Sequence, residues 1–164
     1  VVPVAIFAGD LVLSSFGLAE DMPVSGDYDG DGRDDIAVFR PSTGVWYRFG
    51  SGTGAVAITP FGGLGDKPVV GDFDGDGKAD LVVYRPSERT WYLLRSKDGF
   101  GVSFFGLTAD KPLQADFDGD GTSDIALYRE TDQVWYYLRS SDGAFKAIQF
   151  GETSERPIPG IFVR

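Results

Sequence analysis

One nine-residue stretch occurs three times in this chain and constrains everything around it. It reads Asp72-Phe73-Asp74-Gly75-Asp76-Gly77-Lys78-Ala79-Asp80, and it recurs at residues 27–35 and 116–124. Each copy has aspartate at positions 1, 3, 5 and 9 and glycine at positions 4 and 6. Four carboxylates this close repel one another unless a cation lies among them. The spacing predicts three calcium loops, because a tight turn directs alternate side chains inward and calcium takes six to eight oxygens in a flexible cage. The expected ligands are Asp27, Asp29, Asp31 and Asp35; Asp72, Asp74, Asp76 and Asp80; and Asp116, Asp118, Asp120 and Asp124. Position 7, occupied by Arg33, Lys78 and Thr122, is expected to add its backbone carbonyl. Gly77 and its equivalents are expected to make a turn that a side chain would obstruct. The aromatic residue at position 2 (Tyr28, Phe73, Phe117) is expected to face the core. Magnesium fits less well, since it gives up its waters reluctantly. These are not EF-hand loops: position 12 is Val38, Val83 or Leu127 rather than glutamate.

The loops belong to a longer repeat. Trp46, Trp91 and Trp135 are spaced by 45 and 44 residues, and the Phe-Gly pairs at 16, 61, 105 and 150 keep the same step. So do Pro23, Pro68, Pro112 and Pro157. This period suits one four-stranded propeller blade. The predicted fold is all-β: a propeller-like array of three complete blades plus split terminal strands. Within each unit, strand A precedes the acidic loop. Strand B follows it as a nearly continuous apolar run (Ile36–Arg40, Leu81–Arg85, Ile125–Arg129), as expected for a strand covered on both faces. Strand C carries the Trp-Tyr pair. Strand D follows a turn containing Asp98-Gly99 or Asp142-Gly143 and ends at Phe-Gly. The expected units are residues 18–62, 63–106 and 107–151 within one repeat domain. Residues 1–17 read as strands C and D of a partial blade, and 152–164 as a further strand A. At that end Ile161 and Val163 stand where ligands would be.

The acidic loop, the buried strand after it and the framing Phe-Gly pairs resemble the FG-GAP/VCBS repeat family, which includes the calcium-loop blades of integrin α-subunit propellers and many bacterial surface proteins. The resemblance covers nearly the whole chain. It implies a propeller fold, calcium held by the aspartates at positions 1, 3, 5 and 9, and an extracellular or cell-surface setting, where calcium is millimolar.

Composition narrows the function classes. The net charge is −10, but twelve of the 25 acids occupy ligand positions. The other thirteen nearly balance fifteen Lys and Arg. No basic stripe exists for nucleic acid. Cysteine and histidine are absent, which excludes disulfides and Cys/His zinc sites. Asparagine is absent too, so there is no N-glycosylation sequon. No apolar run is long enough to span a membrane. The N-terminus does not read as a signal peptide, and one is expected to have been removed.

Catalysis is not expected. There is no histidine base, no cysteine nucleophile and no Gly-x-Ser-x-Gly elbow. The glutamates (Glu20, Glu88, Glu130, Glu152, Glu155) are scattered. Two readings of the Trp-Tyr pairs stay open: packing between sheets, or platforms for sugar rings. Arg40, Arg85 and Arg129, ending strand B, are expected to pair with a neighbouring acidic loop or to cap carbonyls. The expected function is a calcium-stabilised extracellular structural or adhesion module. It is expected to self-assemble through its terminal strands into a homo-oligomer or filament, with a cell-surface protein or glycan as a further partner. The alternative is a calcium-dependent lectin.

Overall fold

The computed structural model describes residues 16–150. All regular structure among them is β. The first sheet holds β1 (Met22–Pro23), β2 (Ile36–Arg40), β3 (Val45–Phe49) and β4 (Val56–Pro60). The second holds β5 (Lys67–Gly71), β6 (Asp80–Arg85), β7 (Thr90–Arg95) and β8 (Gly99–Phe104). The third holds β9 (Lys111–Ala115), β10 (Asp124–Arg129), β11 (Val134–Leu138) and β12 (Phe145–Gln149). Each is an antiparallel meander in sequence order, one blade per repeat. The edge strands β5 and β9 run beside each other, and the three sheets form an open array. The expected terminal strands at 1–15 and 151–164 lie outside the described residues.

The repeated aromatics explain the register. Tyr84 and Trp91 face each other across β6 and β7, with ring centroids 5.3 Å apart. Phe39–Trp46 and Tyr128–Trp135 repeat the pair at 5.3 and 5.2 Å. Such tilted pairs fix one register, since a slip by one residue would send every aromatic to the opposite face. The indole N–H then bonds a carbonyl in the Phe-Gly segment: Trp46 to Phe61 at 2.8 Å, Trp91 to Phe105 and Trp135 to Phe150 at 3.2 Å. Trp46 and Trp91 are fully buried. They are packing residues, and neither offers a ring face to a sugar.

Blades pack face to face. Phe39 and Trp46 of the first cluster with Leu81 and Val83 of the second. Phe73, Trp91 and Leu93 of the second cluster with Leu127 of the third. β6, in the middle, is apolar and buried along almost its whole length. The expectation that position 2 faces the core holds for Phe73, 7 % exposed, but not for Phe117, which is 37 % exposed. Among the described residues no blade follows the third, so Phe117 lies against Tyr137 and Trp135 of its own sheet instead.

The arginines ending strand B do not pair with acidic loops, nor do they cap carbonyls. Arg85 donates from Nε and Nη2 to both carboxylate oxygens of Asp66, at 2.8 and 2.9 Å. Arg40 does the same to Asp21, and Arg129 to Asp110. These aspartates stand two residues before the repeated prolines, and the fork geometry selects a carboxylate over a carbonyl. Each guanidinium also covers the tyrosine of the Trp-Tyr pair, 4.3–4.6 Å from the ring centre. The Asp66 side chain is wholly buried and that of Arg85 is 29 % exposed. Arg85→Met therefore leaves a buried carboxylate uncompensated, and a loss of about 3 kcal/mol is expected in urea unfolding. Asp66→Leu combined with Arg85→Met is expected to lose less than Arg85→Met alone. An equal or larger loss in the double variant would remove the ion pair as the cause.

Candidate metal centre

Each acidic loop folds around its own carboxylates. In the second blade, Asp72 Oδ1 accepts the amides of Gly75 and Asp76 at 2.6 and 3.2 Å, and its Oδ2 accepts that of Gly77 at 2.7 Å. Asp27 and Asp116 hold their loops in the same way. This inward wrapping needs glycine for conformation rather than for space. Gly77 has φ +86°, and a Cβ there would meet nothing within 4 Å. The expected steric obstruction at position 6 is thus replaced by a backbone requirement.

Three carboxylates converge in every loop. Asp27, Asp29 and Asp35 each bring an oxygen within 4.8 Å of the others, as do Asp72, Asp74 and Asp80, and Asp116, Asp118 and Asp124. Positions 1, 3 and 9 therefore meet. Position 5 stands outside this trio: Asp76 Oδ1 accepts the Lys78 amide at 2.9 Å, and its Oδ2 accepts the Ser96 hydroxyl at 2.7 Å. Asp31 and Asp120 make the same two bonds. At position 7 the Lys78 and Thr122 side chains rest over Gly30 and Gly75 of the preceding loop; Arg33 is the corresponding residue of the first loop.

A second segment completes the site, and it is one that sequence spacing did not single out. The turn between strands C and D donates to the ligand carboxylates from 16–24 residues away. The Ser96 amide bonds Asp80 Oδ1 at 2.8 Å, and the Lys97 and Asp98 amides bond Asp74 Oδ2 at 2.9 and 3.0 Å. Ser51 and Ser140 donate their amides to Asp35 and Asp124 at 2.6 and 2.7 Å. The available signal was a serine five residues after each tryptophan.

The donor set suits a hard cation. It is all oxygen, and in the second blade it is under charge strain without an ion. Asp80 is pushed up to about 6, first by burial and then by the charges of Asp74 and Asp72, although the Ser96 and Phe73 amides oppose the shift. Asp74 Oδ1 is buried without any hydrogen-bond partner. Its neighbour Oδ2 takes two amides, so the bare oxygen is the one left for an ion. The aspartates at positions 1, 3 and 9 would hold a metal ion, and the ion would supply the positive charge that the cluster lacks.

Residues 27–83 match the model of a family described as FG-GAP-like repeat. No curated protein and no solved structure gives a significant match. The matched span runs from the first acidic loop through the second and into β6. No helix among the described residues is long and apolar enough to cross a membrane. The chain carries an FG-GAP-like repeat over residues 27–83, consistent with the FG-GAP/VCBS repeat family.

Proposed function

We propose that this chain is a calcium-stabilised extracellular structural or adhesion module without catalytic activity. The observation that carries the reading is the threefold carboxylate trio, with the bare buried oxygen of Asp74 in its central copy. Calcium is the ion of choice because the ligands are hard oxygens on a flexible glycine-rich loop, the arrangement that calcium tolerates and magnesium does not. The extracellular setting follows from the same choice: sites of this kind in extracellular modules fill at millimolar calcium. Self-association belongs to the reading because Phe117 and Phe150 leave apolar surface on the third blade. The lectin alternative loses its two central platforms, since Trp46 and Trp91 are enclosed.

Calorimetric titration tests the proposal. Three calcium ions per chain are expected, with magnesium at least about tenfold weaker. Sedimentation in the same calcium buffers is expected to show a species heavier than the 17.7 kDa chain. Absence of calcium uptake would overturn the metal assignment. A strictly monomeric species would overturn self-association alone.

A further inference from the structure

The three acidic loops are not separate. The Ala79 amide, at position 8 of the second loop, donates to the carbonyl of Asp27, at position 1 of the first, at 2.6 Å. The Ser123 amide, at position 8 of the third, donates to the carbonyl of Asp72 at the same distance. In each junction the acceptor belongs to a member of one carboxylate trio, and the donor directly precedes a member of the next, Asp80 or Asp124.

Side chains are cut to fit this contact. The residue before position 1 is Gly26 in the first loop and Gly71 in the second, but Ala115 in the third. A Cβ on Gly26 would lie 2.7 Å from Val70 Cγ1 and 2.9 Å from Ala79 Cβ; one on Gly71 would lie 2.6 Å from Ser123 Oγ. Neither glycine has a positive φ, so the backbone does not demand glycine; the approach of the next blade, its loop and the strand before it, does. Alanine stands at 115, where no described loop follows. Position 8 shows the mirror pattern: small Ala79 and Ser123 at the junctions, and Asp34 in the first loop, which has no described predecessor.

We infer that the loops bind calcium cooperatively, each to its neighbour, through these two backbone junctions. The inference rests on the metal reading above. An ion on Asp27 fixes that residue's peptide, which presents its carbonyl to Ala79. Ala79 in turn sets the backbone from which Asp80 closes the second site. Linkage makes the effect reciprocal. Coupling runs between first and second loops and between second and third, and reaches from first to third only through the second.

Calcium titration followed by NMR tests this, with the amides of Gly32, Gly77 and Gly121 as reporters, since each donates to the position 1 carboxylate of its own loop. In the unaltered chain the three reporters are expected to move together, with a Hill coefficient above one. Asp74→Ala, which empties the second loop, is expected to weaken the first and third about fivefold or more. Gly26→Ala changes no ligand; it is expected to detach the first loop, leaving the second and third to fill together. Ala115→Gly is expected to leave all three unchanged. If no reporter responds to calcium in the unaltered chain, the metal reading itself fails. If the reporters respond but each fills independently there, or Gly26→Ala leaves the joint filling intact, coupling is overturned while the metal sites stand. The Gly26→Ala arm decides the matter even if Asp74→Ala does not fold.

Discussion

Removing calcium with excess EGTA is expected to lower the melting temperature by about 20 °C. Each ion held at a hundredfold excess over its dissociation constant adds about 2.7 kcal/mol to the folded state. Three such ions approach the whole stability of an ordinary domain, about 5–15 kcal/mol. For a chain of this size each kcal/mol corresponds to roughly 2–4 °C. Adding calcium back is expected to restore the melt, and adding magnesium to restore little of it. The pH dependence of the chelated protein sharpens the test. Asp80 is raised from 3.8 to about 6. A raised carboxyl favours the fold when protonated, so its contribution is complete below about 3.8 and fades as the pH rises through 6. The chelated protein is therefore expected to melt higher at pH 5 than at pH 7. With calcium present the order should reverse, because protons then compete with the ion. A melt indifferent to chelator at pH 7 would sink the metal assignment.

The strand plan was legible because the repeat writes it in large residues. Trp46, Trp91 and Trp135, with the Phe-Gly pairs, place strands C and D without any propensity argument, and the paired aromatics hold those strands in register. Positions 1, 3 and 9 of the loops were legible for a similar reason: a local turn keeps them close wherever the chain goes. Position 5 lies outside that trio, and its Oδ2 accepts the Ser96 hydroxyl, a contact that spacing does not reveal. That hydroxyl arrives from the turn between strands C and D, twenty residues away in sequence. The amides of Lys97 and Asp98 were invisible for a different reason: a backbone N–H leaves no mark on residue identity. The Asp66–Arg85–Tyr92 arrangement was within reach, since all three residues obey the repeat. What hid it was the assumption that an arginine seeks the densest acid nearby. Desolvation decides otherwise: Asp66 is buried beside β6, whereas Asp74 and Asp76 are held by an amide and a hydroxyl of the turn between strands C and D.

Trp91→Ala is expected to be the most damaging single substitution in the described blades, at about 3–5 kcal/mol. The side chain is fully buried, packs on Tyr84, and touches a cluster that includes Leu127 of the next blade. Truncation opens a cavity between two sheets that neither can fill by moving alone, because each is pinned by its own loop and turn. It also strips the Phe105 carbonyl of its indole donor. Against a total of about 5–15 kcal/mol, this leaves a chain close to its folding threshold, with a melting temperature about 10 °C lower. Trp135 is the internal control. It makes the same pair with Tyr128 and the same bond to a Phe-Gly carbonyl, yet it is only partly buried, because no described blade covers it. Trp135→Ala is therefore expected to lose less than half as much in urea unfolding. The difference between the two isolates what one blade gains from the next, since everything within the blade is shared. Equal losses would mean that each sheet stabilises itself, and that face-to-face packing of neighbours contributes little to the fold.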